Sequence, residues 1–397
     1  MEIIDRNYYE NMITESLGKG EAVVLTGHRR VGKSTILENL SRKFASKGNV
    51  IFLDMEDPDN SSINNYIDLH EFTKGKLSED RQNYLMIDEV QEIENFEKTL
   101  RFLVKQNNVD VIITGSNAFM LSGEIATLFA GRCTELHIYS LDYQEFLLFH
   151  NLQDTEKSLV SYLKWGGLPF MHNIAVDDLR SRIDYLGGIY NTIFIKDIVK
   201  RHNIRNVTLI DNLARFIADN CGKLISANSI SNYLKGNNTK VAGTTINEYI
   251  GYLCEAYLID KVKRYDIKGK KVFDQQEKYY FEDIGIRNYL CNDKRNTDIE
   301  KIMENIVYLR LKELGYDVFV GQFNGKEIDF VAKTGDDIRY YQVSYTISSD
   351  ETYAREYGNL KLIKDNYPKY VITMDPLASL VSDNGIITVS LHDFLMN

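Results

Sequence analysis

Cysteine is scarce and scattered. The chain has four, Cys133, Cys221, Cys254 and Cys291, and no two stand at the spacing of a metal knuckle or a redox pair. Neither a disulfide framework nor a thiolate metal site therefore organises the fold. Proline is equally scarce, at four residues, so no proline-rich linker marks a domain boundary. No apolar run is long enough to span a bilayer. The opening Met1-Glu2-Ile3-Ile4-Asp5-Arg6 lacks the apolar stretch of a signal peptide. These absences predict a cytoplasmic protein. Positive charge is in deficit: 47 Lys and Arg stand against 57 Asp and Glu, a net charge of -10. Such a chain is a poor indiscriminate binder of nucleic acid, although a local basic patch stays open to it.

What is present is a chain of 397 residues, 44% of them hydrophobic, which suffices for a sizeable core and two to four domains. The first part alternates short apolar runs with helical patterns. Strands are expected at 21–26, 50–53, 84–87 and 109–114, with a fifth at 136–139. Continuous apolar strands separated by helices predict a parallel sheet covered on both faces. Helical patterns follow at 143–149, 159–165 and 184–202, broken by Gly166-Gly167-Leu168-Pro169.

The chemistry concentrates in Gly27-His28-Arg29-Arg30-Val31-Gly32-Lys33-Ser34, followed by Thr35. Gly27 and Gly32 bracket four residues ahead of Lys-Ser, the full Walker A pattern, between an expected buried strand and a helix. Glycines let the backbone curl so that its N–H groups face phosphate oxygens, and the helix adds the positive end of its dipole. Lys33 is placed to reach the β- and γ-phosphates of ATP, and Ser34 to ligate Mg²⁺. Asp88-Glu89 ends the apolar run Tyr84-Leu85-Met86-Ile87, the Walker B arrangement. Asp88 is the second metal-holding residue and Glu89 the residue that orients or deprotonates the attacking water. A further strand ends at Thr114-Gly115-Ser116-Asn117, where Ser116 or Asn117 is the candidate γ-phosphate sensor or, equally, a loop cap. Arg132 is a candidate for transition-state charge, in cis or from a neighbouring subunit; a plain surface arginine is the alternative.

These segments resemble the prokaryotic predicted ATPases of the AAA superfamily that carry a C-terminal domain of unknown function. The resemblance continues through Gly166-Gly167-Leu168-Pro169 and Ile193-Phe194-Ile195-Lys196-Asp197-Ile198-Val199-Lys200-Arg201-His202. It implies an α/β chain with four parts. A P-loop NTPase parallel-sheet core spans 1–141, a helical subdomain 142–205, a winged helix-turn-helix 206–285 and a small α/β, restriction-endonuclease-like domain 286–397. In related signal-transduction ATPases a Gly-x-Pro segment contacts the nucleotide. The resemblance assigns that role to Pro169, with an ordinary turn as the alternative.

Three helical patterns and two strands around Lys268-Gly269 give the order of a winged helix. The helix in the recognition position, 244–256, contains no Lys or Arg, so it is a poor reader of bases. The hairpin at 261–271 is basic: Lys261, Lys263, Arg264, Lys268, Lys270 and Lys271 oppose only Asp266. It suits nonspecific contact with a phosphate backbone, or else it is a solvated spacer. In the last part Glu304, Asp329 and Gln342-Val343-Ser344 stand in the order of nuclease residues. Gln342 replaces an acid and Ser344 replaces the lysine that would help the attacking water, with Lys326, Lys361 or Lys364 as substitutes from elsewhere. The pattern predicts a domain that binds rather than cuts. Three functions follow in order of preference: an Mg²⁺-dependent ATPase that gates its C-terminal domains, a slow nucleotide switch or DNA-binding regulator, and an ATP-driven nuclease.

Overall fold

The run Ala22-Val23-Val24-Leu25 has no polar face, so as a strand it must be covered on both sides. It becomes β1 (Ala22–Thr26), buried at every position. A computed structural model describes residues 4–115, 129, 131–236, 241–291, 295–347, 350–375, 382–383 and 385–397 of the chain. The chain divides into two units. The first comprises residues 1–139 and 255–257, the second 140–254 and 258–397.

In the first unit β1 lies between β4 (Val109–Thr114) and β5 (Cys133–His137), and the sheet continues through β3 (Asn83–Asp88) to β2 (Asn49–Asp54). All pairings are parallel. Val23 and Leu25 pack with Ile36, Leu37 and Leu40 of α2 (Lys33–Phe44) and with Tyr9 and Ile13 of α1 (Asn7–Ser16). Ala22 and Val24 face the opposite side, toward Leu69 of α3 (Tyr66–Lys74) and Leu100 and Leu103 of α4 (Glu97–Leu103). Each such fully buried aliphatic side chain contributes roughly 1.5–3 kcal/mol. The fifth strand, expected at 136–139, starts earlier, at Cys133. It is an edge strand, with half-buried residues at Cys133, Thr134 and Glu135, so it lacks the apolar run that marks the central strands.

Parallel register sends the C-terminal ends of β1, β3 and β4 to one edge. Leu25 is level with Thr114, and Ile87 with Ile113. The phosphate-loop sequence leaves β1 at that edge. Gly27 has φ 129°, and a Cβ there would lie 2.3 Å from the Ile138 carbonyl oxygen, so no other residue fits. From behind, Arg6 at the start of α1 is buried and donates to the carbonyls of Val31 (3.0 Å) and Tyr139 (2.8 Å). Its guanidinium also lies over the Tyr9 ring, 4.5 Å from the centroid.

The second unit begins with helices α5 (Tyr143–Phe149), α6 (Glu156–Trp165) and α7 (Leu179–Thr192). The helix expected at 184–202 is two elements, α7 and a π-helix at Ile193–Lys200. In the Gly166–Pro169 turn, Gly167 packs so closely on Leu141 that a Cβ would stand 2.2 Å from its carbonyl oxygen. Then come α8 (Val207–Asp219), α9 (Ala227–Gly236), α10 (Gly243–Glu255), the hairpin β6 (Ile259–Asp266) and β7 (Lys271–Phe281), α11 (Ile284–Leu290) and α12 (Arg295–Glu313). Strands β8 (Asp317–Phe323), β9 (Lys326–Thr334) and β10 (Asp337–Ser344) precede α13 (Asp350–Lys361), β11 (Lys369–Thr373), β12 (Ser382–Asp383), β13 (Ile386–Ser390) and α14 (Leu391–Met396). The hairpin is not a separate wing in its pairing. β6 joins β8 through Arg264–Val320 to Asp266–Gln322, so hairpin and C-terminal strands form one sheet in the order β12-β13-β11-β10-β9-β8-β6-β7. No helix among the described residues is long and apolar enough to cross a membrane.

Removing the Arg6 guanidinium leaves two carbonyls behind the phosphate loop without their donor. Arg6→Met is expected to cost the first unit about 2–3 kcal/mol, read as a lower urea midpoint for that unit; an unchanged midpoint contradicts the anchoring role.

Candidate nucleotide site

The loop 27–34 has the backbone its sequence requires. Gly27, Arg30 and Gly32 have φ of 129°, 67° and 98°, and Gly32 caps α2 with no side chain bonded to the helix start. That helix end, with its inward-curled amides, suits an anion. Val31 is buried, Arg29 is half-buried and Arg30 is exposed. His28 is 1% exposed and its Nδ1 lies 2.6 Å from the Arg29 carbonyl. Burial lowers its pKa to about 3, so the ring is neutral and adds no charge to the loop. The Lys33 ammonium donates to the carbonyls of Gly27 (2.8 Å) and His28 (2.9 Å). Ser34 and Thr35 are exposed at the first turn of α2.

Asp88 sits at the end of β3, buried, and its carboxylate is hydrogen-bonded by Ser34 and by Thr114. Burial raises its pKa and the two hydroxyls lower it. The Thr114 hydroxyl serves two residues at once. It donates to Asp88 and accepts from the Glu89 backbone N–H at 3.0 Å. Glu89 has left-handed backbone, φ 53° and ψ 51°, and its carboxylate accepts from the Gln91 side-chain amide. Lys33, Ser34, Asp88 and Glu89 thus converge at one edge of the sheet. Thr114, Gln91 and Arg6 are the residues that the sequence did not single out. A threonine ending a buried strand is an ordinary sight, and only strand adjacency gives it a role.

Ser116 and Asn117 lie outside the described residues. Arg132 calls for a correction. Its carbonyl accepts from Ala22 N at 3.1 Å, which puts it at the start of β1 and β5. The phosphate loop is at the other end, about 13 Å along the strand at roughly 3.3 Å per residue. Arg132 is exposed there and does not reach phosphates bound by its own chain. Pro169 opens a 3₁₀ turn, Pro169–Asn173, in the second unit. The Gly167 amide beside it donates to Asp283 Oδ2 at 3.0 Å.

The residues expected from the nuclease resemblance also come together, with one correction. A positive charge is present, and it comes from Lys278 on β7 rather than from Lys326, Lys361 or Lys364. Its ammonium is 2% exposed and lies 2.7 Å from Glu304, 2.8 Å from Glu327 and 3.5 Å from Asp329. Tyr280 donates to Glu304 at 2.6 Å. Burial opposes the charge on Lys278, but the carboxylates raise its pKa. Glu304 is pushed up to about 7, chiefly by burial. Gln342 accepts from Asp329 N at 2.7 Å and donates to Glu356 at 2.6 Å, so it acts as an orienting amide. The Ser344 hydroxyl donates to the nearby Thr346 carbonyl at 3.1 Å. Lys361 is paired with Asp383.

The parallel sheet and the phosphate loop define a P-loop AAA-type nucleotide-binding domain. A family profile described as an AAA domain matches residues 19–147, and a domain of unknown function (DUF8612) matches 156–297. The chain is 34% identical over 381 residues to an uncharacterized protein of Haemophilus influenzae, covering 94% of this chain and 93% of that protein. It is 31% identical to the uncharacterized protein MJ1544 of Methanocaldococcus jannaschii, covering 93% of this chain and 84% of that protein. The fold is similar to that of the Walker-type ATPase paby2304 of Pyrococcus abyssi, with TM-score 0.51 and 17% identity over 72% of this chain and 96% of that one. The chain belongs to the family of these H. influenzae and M. jannaschii proteins, with an AAA domain at its N-terminal end.

Two substitutions test the two clusters. Thr114→Val strips a donor from Asp88 and an acceptor from the Glu89 N–H. It is expected to lower ATP turnover about 10- to 100-fold, as lost hydrogen bonds to charged and buried groups would, with steady-state phosphate release as the readout. Lys278→Met leaves Glu304, Glu327 and Asp329 without their shared cation. The loss is about 3–5 kcal/mol at neutral pH. It shrinks as pH falls, because protonating Glu304 removes one uncompensated charge. Urea unfolding at pH 8 and pH 6, about a unit either side of the Glu304 value of about 7, checks both the size and the sign.

Proposed function

We propose that the chain hydrolyses ATP with Mg²⁺ and uses the cycle to rearrange its second unit. The observation that carries the reading is the Thr114 hydroxyl holding Asp88 and the Glu89 backbone together beside Ser34. Backbone amides of 27–34 and Lys33 bind the phosphates. Arg29 and Arg30, on the same loop, add positive charge next to them. Thr35 extends the polar start of α2. Ser34 and Asp88 are hard oxygen donors already within hydrogen-bond reach of each other, so the pair fits Mg²⁺. Bound there, the ion would neutralise charge on the phosphate oxygens. Glu89 accepts a proton from water as the water oxygen bonds to the γ-phosphorus and the bond to the β-phosphate oxygen breaks.

The Gly167–Pro169 turn is the proposed output. Asp283 accepts from the Gly167 amide and, at 3.1 Å, from the Ile286 amide of α11. Asp283 thereby joins the Gly167–Pro169 turn to α11 within the second unit. The basic hairpin 261–271 is the proposed nonspecific DNA contact. Lys268, Lys270 and Lys271 are exposed in its turn, where phosphate contacts need no base reading.

A second reading, a slow nucleotide-dependent switch, draws support from Gln91. Its amide holds the Glu89 carboxylate, and a base so held turns over slowly until it is released.

The test is a trio of variants. Lys33→Ala is expected to lose ATP binding, and Glu89→Gln to bind ATP with near wild-type affinity while hydrolysis falls by about 100-fold or more, the scale of a lost general base. Gln91→Ala raises turnover if the switch reading holds. Phosphate release by Glu89→Gln at the wild-type rate would overturn the catalytic assignment.

A further inference from the structure

The segment Ile193–His202 is unexplained by nucleotide chemistry, and its winding is unusual. Ile193–Lys200 is π-helical, a geometry rare in proteins and frequent at functional sites. With hydrogen bonds from i to i+5, positions four and five apart lie side by side. Ile193, Phe194, Asp197 and Ile198 accordingly face inward. Lys196 and Lys200 are exposed and Arg201 is half-buried beside them, with Arg205 exposed just beyond. The single acid of the segment, Asp197, is turned away, 5% exposed. None of the four cations makes an ion pair among the described residues. In a chain of net charge -10, four adjacent cations without acid partners are not the average surface.

The segment is fixed against α10. The His202 ring stacks on Tyr252 with centroids 3.7 Å apart and planes 13° from parallel. α10 is the helix in the recognition position of the three-helix segment and has no Lys or Arg of its own. The π-helix therefore brings to its side the positive charge that it lacks. The His202 ring covers one face of Tyr252, and a covered face is not open to the unpaired bases that stack on aromatic rings. We propose that the Lys196–Arg205 segment beside α10 is a binding surface for the phosphate backbone of duplex DNA. It rests on the DNA-contact reading of the second unit and moves the main contact from the hairpin to the π-helix.

Full-length protein is titrated with a fluorescein-labelled duplex of mixed sequence, about 30 base pairs long, across a salt series by anisotropy. Changing Lys196, Lys200, Arg201 and Arg205 together to Gln is expected to weaken binding by about 30-fold or more at low salt. It should also reduce the slope of log K against log salt by about 3. ATP turnover without DNA and the urea midpoints stay at wild-type values. Lys196→Arg with Lys200→Arg, which keeps the charge, keeps the affinity. If the Gln variant binds with unchanged affinity and slope while a Lys268, Lys270 and Lys271 to Gln variant does not, the inference fails and the hairpin reading survives. If wild-type protein binds no duplex even at low salt, both fail. Tighter binding to a single strand of equal length overturns the duplex assignment.

Discussion

The first unit depends on one close approach: the backbone of Gly27 against the carbonyl of Ile138. The strand β1 must end there, and the chain must turn at once so that the next amides point at a common centre. Only a residue without Cβ, at φ 129°, makes that turn against Ile138, just past the end of β5. Everything chemical follows from where the turn leaves the chain. Lys33 is returned over the loop, Ser34 is delivered to Asp88, and Arg6 closes the back of the loop by binding Val31 and Tyr139 together. Parallel register supplies the rest, because it brings Asp88 and Thr114 to the same edge without any further device.

The second unit is built around a different constraint, the burial of charge. Lys278 is enclosed, and three carboxylates from α12 and β9 surround it. An enclosed ammonium without acids, or those acids without a cation, would each be costly. Together they tie the hairpin to the helix and strands that follow it. Glu304 and Asp329, to which the nuclease resemblance pointed, are therefore ion-paired together with Glu327 around a lysine from another strand. Asp283 plays a comparable part in the same unit, accepting from both the Gly166–Pro169 turn and α11.

Legibility in the sequence tracked locality. The phosphate loop, the acidic pair and the first four strands were readable because each is signalled by neighbouring residues: a glycine spacing, an apolar run, an acid at its end. The edge strand β5 was misplaced by a few residues because half of it faces water and lacks the apolar run. Thr114 was read only as the end of a strand, since its double hydrogen bond requires β3 and β4 to be neighbours. Arg132 was a candidate for transition-state charge, in cis or from a neighbouring subunit. The pairing of Ala22 with Cys133 puts it at the end of the sheet opposite the phosphate loop of its own chain. Lys278 could not be linked to Asp329 in the sequence because it belongs to the hairpin, far away along the chain. The π-helix was read as continuous helix, since an apolar face continues through it.

The central claim is that the curled backbone of 27–34 closes on the phosphates of a bound nucleotide. Amide hydrogen exchange of the full chain, with and without a non-hydrolysable ATP analogue and Mg²⁺, tests it directly. Strong protection of the amides from His28 to Ser34, absent in Lys33→Ala, is the expected result. Exchange in that segment unchanged by saturating nucleotide would contradict it.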